Sequence, residues 1–117
     1  MNWYHGTSKT NKEMILKTRF HTSLGIWGDG VYFSSSRDGA SLFGGSIIQA
    51  HIPAAEMKHI DFKCWEVEHP NEETWPEMVK EFNCKAIAIH YPSGEIELCV
   101  FDPDVIRQIN LSVTEGG

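Results

Sequence analysis

Gly25-Ile26-Trp27-Gly28-Asp29-Gly30-Val31-Tyr32-Phe33-Ser34-Ser35-Ser36-Arg37-Asp38-Gly39-Ala40-Ser41-Leu42-Phe43-Gly44-Gly45 is the stretch on which the reading of this chain turns. Gly28-Asp29-Gly30 reads as a glycine turn, where the backbone can take positive φ or pass close to another group. Val31-Tyr32-Phe33 is a short apolar burst, the pattern of a strand entering the core. The three serines that follow offer an N-cap for a short helix over Arg37–Phe43, with Asp38 suited to its first turn. Tyr32 and Phe43, one ring from the strand and one from the helix, can return to one place and form a slot for a flat ligand. The plainer reading of the same residues is a pair of core aromatics on a strand–helix unit.

On the N-terminal side of this stretch, Trp3–Ser8 reads as a first strand, broken at Gly6 and set inside the sheet. Glu13–Lys17 has the spacing of a short helix, with Met14 or Ile15 and Leu16 inward and Asn11 as its cap. Thr18–Leu24 is a weak strand or loop carrying Arg19 and His21. On the C-terminal side, Ser46–Ile52 is a strand stopped by Pro53. Ala54–His59 reads as a turn of helix, Ile60–Phe62 as a short strand, and Cys64–Pro70 as irregular with Trp65 returned to the core. Asn71 caps a helix over Glu72–Phe82, whose Trp75, Met78, Val79 and Phe82 make a core stripe. Asn83 suits the left-handed position after it. Ala86–Tyr91 is a strand, Pro92–Gly94 a turn, and Glu95–Phe101 the return strand. In that last strand, period two sends Ile96, Leu98 and Val100 one way and Glu95, Glu97, Cys99 and Phe101 the other. Val105–Ile109 adds a final short element, and the tail Thr114–Gly117 is expected to fray. The order of elements is mixed α+β, rich in short strands, rather than a regular alternation of βαβ units.

A length of 117 residues fits one domain over 1–117 with a usable core. The net charge of −6 argues against a broad grip on DNA or RNA, which needs clustered Lys and Arg. It leaves room for a small ligand or for a protein partner with a basic face. Cys64, Cys84 and Cys99 contain no CxxC pair, and an odd count suits a reducing cytosol. The six histidines show no HExxH or HxH grouping, so no metal site is expected. The first residues carry no basic, apolar leader pattern, and no stretch approaches the ~20 apolar residues of a membrane span. The expectation is a cytoplasmic protein.

Three separated pieces resemble one family, the ADP-ribosyltransferases of the His-Tyr-Glu type, the group of diphtheria toxin and the poly(ADP-ribose) polymerases. Tyr4-His5-Gly6-Thr7 is similar to the family's opening strand. Gly28-Asp29-Gly30-Val31-Tyr32-Phe33-Ser34, followed by Ala40-Ser41-Leu42-Phe43, is similar to its glycine–Tyr-Phe strand and the helix closing on a second aromatic. Glu95-Ile96-Glu97-Leu98-Cys99-Val100-Phe101-Asp102-Pro103 is similar to its late strand. The pieces occur in the family's order and cover most of the chain. The opening also resembles that of small rifamycin-modifying transferases, and several phage-encoded transferases are comparably short.

The resemblance implies a compact split β-sheet fold with short flanking helices and NAD as co-substrate, without a metal. On that footing His5 would bond a ribose hydroxyl, and Gly6 would offer its backbone to the nicotinamide amide, with Thr7 beside it. Tyr32 would stack on the nicotinamide with Phe43 on its other side. Glu97 would be the catalytic carboxylate. Glu95, two places upstream, is similar to the first Glu of the arginine-modifying branch, which meets the acceptor; the rest of that branch's signature is missing. Where the polymerases place a serine to hold the amide this chain has Ala40, with Ser41 next door. Lys9, Lys12, Arg19 and Arg37 are the candidates to meet the NAD diphosphate, Arg19 first among them. The implied activity is transfer of a single ADP-ribose to an acceptor, such as a host or competitor protein if the chain is a bacterial or phage effector. Its rivals are transfer to a small molecule or nucleic acid, NAD hydrolysis, and a non-catalytic binding module that keeps the fold.

Overall fold

The computed structural model describes residues 2–110, and the expected fraying of Thr114–Gly117 lies outside them. Among the described residues there are eight strands: β1 (Asn2–Thr7), β2 (Ser23–Gly25), β3 (Gly28–Ser34), β4 (Ser46–His51), β5 (Met57–Asp61), β6 (Ala86–His90), β7 (Ile96–Val100) and β8 (Gln108–Asn110). Seven of them form one mixed sheet in the order β5-β6-β7-β3-β1-β4-β8, and β2 pairs with β3. Only β5 and β6 run parallel; the other pairs are antiparallel. The helices are short: α1 (Lys9–Lys17), α2 (Arg37–Ser41), α3 (Phe62–Glu68) and α4 (Trp75–Lys80). The result is a compact α+β domain, and none of its described helices is long and apolar enough to cross a membrane. β1 lies inside the sheet, between β3 and β4, as its position in the chain suggested.

Alternation along the strands sorts side chains into two cores. Trp3, Val31, Phe33, Leu98 and Val100 pack on one face with Phe20, Ile48 and Val105. Ile87, Ile89 and Cys99 pack on the other with Trp27, Trp65, Trp75 and Val79. The side of β7 that carries Glu97 is thus mostly walled by α3 and α4. Cys99 on it is 0% exposed, and Glu95 and Glu97 are half-buried.

Several boundaries differ from expectation, each for a local reason. The first helix starts at Lys9 because Ser8, at the end of β1, caps it by accepting from the Asn11 N–H at 3.1 Å. Asn11 is thereby the third helical residue rather than the cap. The glycine turn moves upstream. Gly25 pairs with Gly28, Ile26 and Trp27 form the loop between them, and β3 starts at Gly28, whose φ of +107° favours glycine. Cys64–Glu68 is helical, capped by Asp61, which accepts from the Lys63 N–H at 3.1 Å. Ala54–Glu56 is a single 3-10 turn, and the strand after it runs Met57–Asp61. The helix expected over Glu72–Phe82 is a 3-10 turn at Glu72–Thr74 followed by α4. Pro76 has no N–H and crowds the carbonyl four residues back, so it tolerates only the first turn of an α-helix. Asn83 does take the left-handed position, at φ +49°.

Candidate functional site

β1 and β3 meet at one register position, Tyr4 opposite Ser34. On its other side β1 follows β4 from Asn2 opposite His51 to Thr7 opposite Ser46. β3 instead follows β7, with Tyr32 opposite Cys99 and Ser34 opposite Glu97. The two central strands therefore part beyond Tyr4, and a cleft of about 770 Å³ opens there. Strands that part leave backbone groups in need of other partners. The Tyr32 carbonyl is met by the His5 side chain, Nδ1 lying 2.7 Å from it.

A carbonyl only accepts, so Nδ1 carries the hydrogen. Burial lowers the His5 pKa from its ordinary 6.5, with the bond to Tyr32 opposing in part. The neutral ring then keeps Nε2 as a lone-pair acceptor, suited to a ligand hydroxyl. Phe20 and Phe33 pack against the imidazole at 5.3 and 5.6 Å between centroids.

Six of the expected site residues line this cleft together: His5, Gly6, Thr7, Tyr32, Phe43 and Glu97. Thr7 is 8% exposed, and among the described residues no protein group hydrogen-bonds its hydroxyl. Gly6 is glycine for a reason beyond an open backbone. A Cβ there would stand 1.8 Å from the Ala40 carbonyl oxygen, so β1 and α2 touch through it. α2 ends at Ser41, and Phe43 follows on the turn that its N–H closes to the Ala40 carbonyl at 3.0 Å. Its ring is 72% exposed at the cleft.

Tyr32 presents its ring to the cleft while its hydroxyl is engaged elsewhere. The phenol donates to the Gly28 carbonyl at 2.8 Å and accepts from the Trp27 N–H at 3.0 Å. Burial, reinforced by Cys99 and Glu97, drives its pKa far above the ordinary range, so it exchanges no proton near neutrality. Glu97 is half-buried, and two donors converge on one of its oxygens. Trp27 Nε1–H reaches Oε1 at 3.0 Å and the Tyr91 hydroxyl at 2.8 Å. Among the described residues no side chain or backbone group donates to Oε2.

Trp27 and Tyr91 were not singled out from sequence. For Tyr91 the signal is present: β6 ends at His90, one residue short of the expected strand, but Tyr91 just past it continues the alternation of Ile87 and Ile89, and Ile89 stands opposite Glu97. Trp27 depends on where the β2–β3 hairpin closes, which the glycines left ambiguous.

Two expected ligand-binding residues lie elsewhere. Arg19 is paired with Asp104, Nη2 to Oδ1 at 2.7 Å, and does not line the cleft. The Ser41 hydroxyl donates to the Asp38 carbonyl at 2.7 Å, as an exposed side chain in a short helix does when its own backbone is nearest. No Lys or Arg is among the cleft's lining residues. Lys12 is half-buried on α1, the helix that supplies Asn11 and Met14 to the cleft, and its pKa is lowered by burial and by Arg37. The Arg37 guanidinium sits 5.5 Å over the Tyr4 ring.

Glu95 lines a second depression of about 520 Å³, which shares Phe43, Tyr91 and Glu97 with the first. Its carboxylate is held by three hydroxyls of the β3–α2 turn: Ser36 at 2.7 Å, Ser34 at 3.2 Å and Ser35 at 3.4 Å. Ser36 in turn caps α2, accepting from the Gly39 N–H at 2.9 Å.

Comparison with family models, curated proteins and solved structures finds no match to this chain.

Proposed function

We propose that this protein is a mono-ADP-ribosyltransferase that uses NAD as its donor. The observation that carries the reading is the convergence of His5, Gly6, Thr7, Tyr32 and Glu97 at the parting of β1 and β3. These residues come from three strands far apart in sequence and are those the family resemblance singles out. The same parting supports a split sheet of the ADP-ribosyltransferase kind. Cleft size also fits, since ligand sites commonly measure about 300–1,000 Å³.

Each residue has a role consistent with its surroundings. His5 Nε2 accepts from a ribose hydroxyl. Thr7 supplies a hydroxyl with no competing protein partner, and Gly6 a backbone free of side chain. The Tyr32 ring, fixed by its own phenolic bonds, is the platform for nicotinamide, with Phe43 as the second ring. As the bond from the ribose C1′ to nicotinamide breaks, the leaving group departs neutral and positive charge grows on the sugar. Glu97, with Oε2 unclaimed, stabilises that charge. The acceptor then bonds to C1′ and gives up its proton to water. Lys12, next to the cleft-lining Asn11, and Arg37, over the Tyr4 ring, are the cations we assign to the diphosphate in place of Arg19.

The favoured acceptor is a protein side chain entering by the second depression, whose wall Glu95 braces through its bonds to Ser34, Ser35 and Ser36. A small apolar acceptor is the second reading, favoured by the exposed Leu24, Leu42 and Phe43. The deciding test incubates wild-type and Glu97→Gln protein with NAD and measures released nicotinamide. Wild type releases it, and the variant is slower by about two to three orders of magnitude. Equal release by both removes Glu97 from the chemistry, and none from either leaves a binding module. Mass spectrometry of a lysate and of a small-molecule panel separates the two acceptors.

A further inference from the structure

We propose that Trp27 and Tyr91 are positioning residues for Glu97, fixing one carboxylate oxygen so that the other is turned to the cleft. The proposal rests on the reading of the cleft as an NAD site, and its spectroscopic arm stands apart from that reading.

Two donors on one oxygen define the direction of the carboxylate in a way that one donor does not. Trp27 Nε1–H and the Tyr91 hydroxyl both reach Oε1. Charge-assisted bonds of this kind are about twice as strong as neutral ones. Each donor is itself immobilised. The Trp27 indole is 0% exposed and stacks on Trp75 with 4.9 Å between centroids and 15° between planes. Trp75 is anchored in turn, its Nε1–H donating to the His69 carbonyl at 2.8 Å. Phe62 packs on both donors, 6.4 Å from Trp27 and 4.7 Å from Tyr91. At the other end of the Trp27 residue, its backbone N–H is held by the Tyr32 hydroxyl.

Tyr32 therefore has two parts: a ring for the ligand, and a hydroxyl that fixes the turn from which Trp27 reaches Glu97. The β2–β3 and β6–β7 hairpins come from opposite ends of the chain, yet each is tied to the same oxygen. Both donors bond Oε1 rather than the oxygen proposed to face the ribose, so their effect on rate runs through Glu97. Substitutions here should change how fast bound substrate reacts more than how well it binds.

The test compares wild-type and Tyr91→Phe protein, which loses one donor and keeps the ring. The expected result is a kcat for nicotinamide release lowered about tenfold, with KM for NAD within about twofold and an unchanged folded spectrum. Trp27→Phe removes the other donor, but a fully buried, stacked indole is a risk to folding. The Trp27 arm is therefore read by NMR on the native indole. Of the four Trp indole N–H signals, the Trp27 signal should shift in both Glu97→Gln and Tyr91→Phe proteins. A Tyr91→Phe enzyme with unchanged kcat, or with its loss confined to KM, overturns the proposal. So do indole signals indifferent to Glu97→Gln. If wild type releases no nicotinamide while the indole signal responds as expected, the enzymatic reading falls and the positioning of Glu97 stands.

Discussion

Glu95 and Glu97 are two residues apart and both half-buried, yet their surroundings treat them oppositely. Three serine hydroxyls occupy both oxygens of Glu95. Glu97 has both of its donors on Oε1. The first carboxylate ties the β3–α2 turn to β7, and through Ser36 it supports the cap of α2. The second is fixed in direction and left with accepting capacity beside a cleft. Residue type and spacing do not separate two such acids; the number and direction of their donors do.

The largest effect expected from this contrast is a crossing of phenotypes. Glu97→Gln keeps a carbonyl oxygen that can still accept from Trp27 and Tyr91, so its Tm stays within about 2 °C of wild type. Its nicotinamide release falls as described above. Glu95→Gln does the reverse. It retains release to within about threefold, and it loses about 1–2 kcal/mol of stability with the charge that three hydroxyls were satisfying. Thermal unfolding and NAD turnover on the same two preparations check this. Glu95→Gln protein that is stable but inactive would show that Glu95 belongs to the chemistry.

A smaller effect isolates the clamp. Ser36→Ala removes the shortest bond to Glu95 and the cap of α2 together, a loss of about 1 kcal/mol at a typical N-cap. Because Phe43 closes the turn at the end of α2, its N–H bonded to the Ala40 carbonyl, KM for NAD should rise a few-fold while kcat holds, as a disturbed platform and an intact carboxylate require. Kinetics at saturating and limiting NAD distinguish the two. A fall in kcat with KM unchanged would place the β3–α2 turn in contact with the reacting end of the site.

Much of this arrangement was legible in the residues. Period two in Glu95–Phe101 put Leu98 and Val100 on one face and Glu97 and Cys99 on the other, and both assignments hold. Ser36 does cap the helix after Tyr32. The core stripe of Trp75, Met78, Val79 and Phe82 and the return of Trp65 hold as well, but the helix that carries Trp65 was hidden because α3 is only seven residues long, too short for a periodic signal. It buries Trp65 and half-buries Phe62 among outward Lys63, Glu66 and Glu68. Arg19 could not be placed because its partner, Asp104, is 85 residues away and no local pattern reports an ion pair at that distance. Tyr91 was legible in strand alternation across the hairpin, because the Pro92–Gly94 turn sets the register of β6 on β7.

The opposite wall of the cleft offers the finest test of how the site is kept. Glu97 is held by donors, whereas His5 is held as a donor, through Nδ1–H to the Tyr32 carbonyl. Burial keeps its folded pKa below the ordinary 6.5 that the unfolded chain restores. Above 6.5 the ring is neutral in both states and its contribution to stability is whole. Below that value the unfolded chain takes up the proton first, so stability is lost as pH falls through the folded pKa. In His5→Gln protein the amide N–H can donate to Tyr32 without titrating. Between pH 8 and pH 5, roughly spanning the histidine range, wild type should therefore lose more Tm than the variant. The other five histidines contribute equally to both and cancel. Equal losses would mean that His5 is as readily protonated in the folded protein as in the unfolded chain. Nε2 would then meet a ligand as a donor rather than an acceptor, and the role given to it against a ribose hydroxyl would have to be reversed.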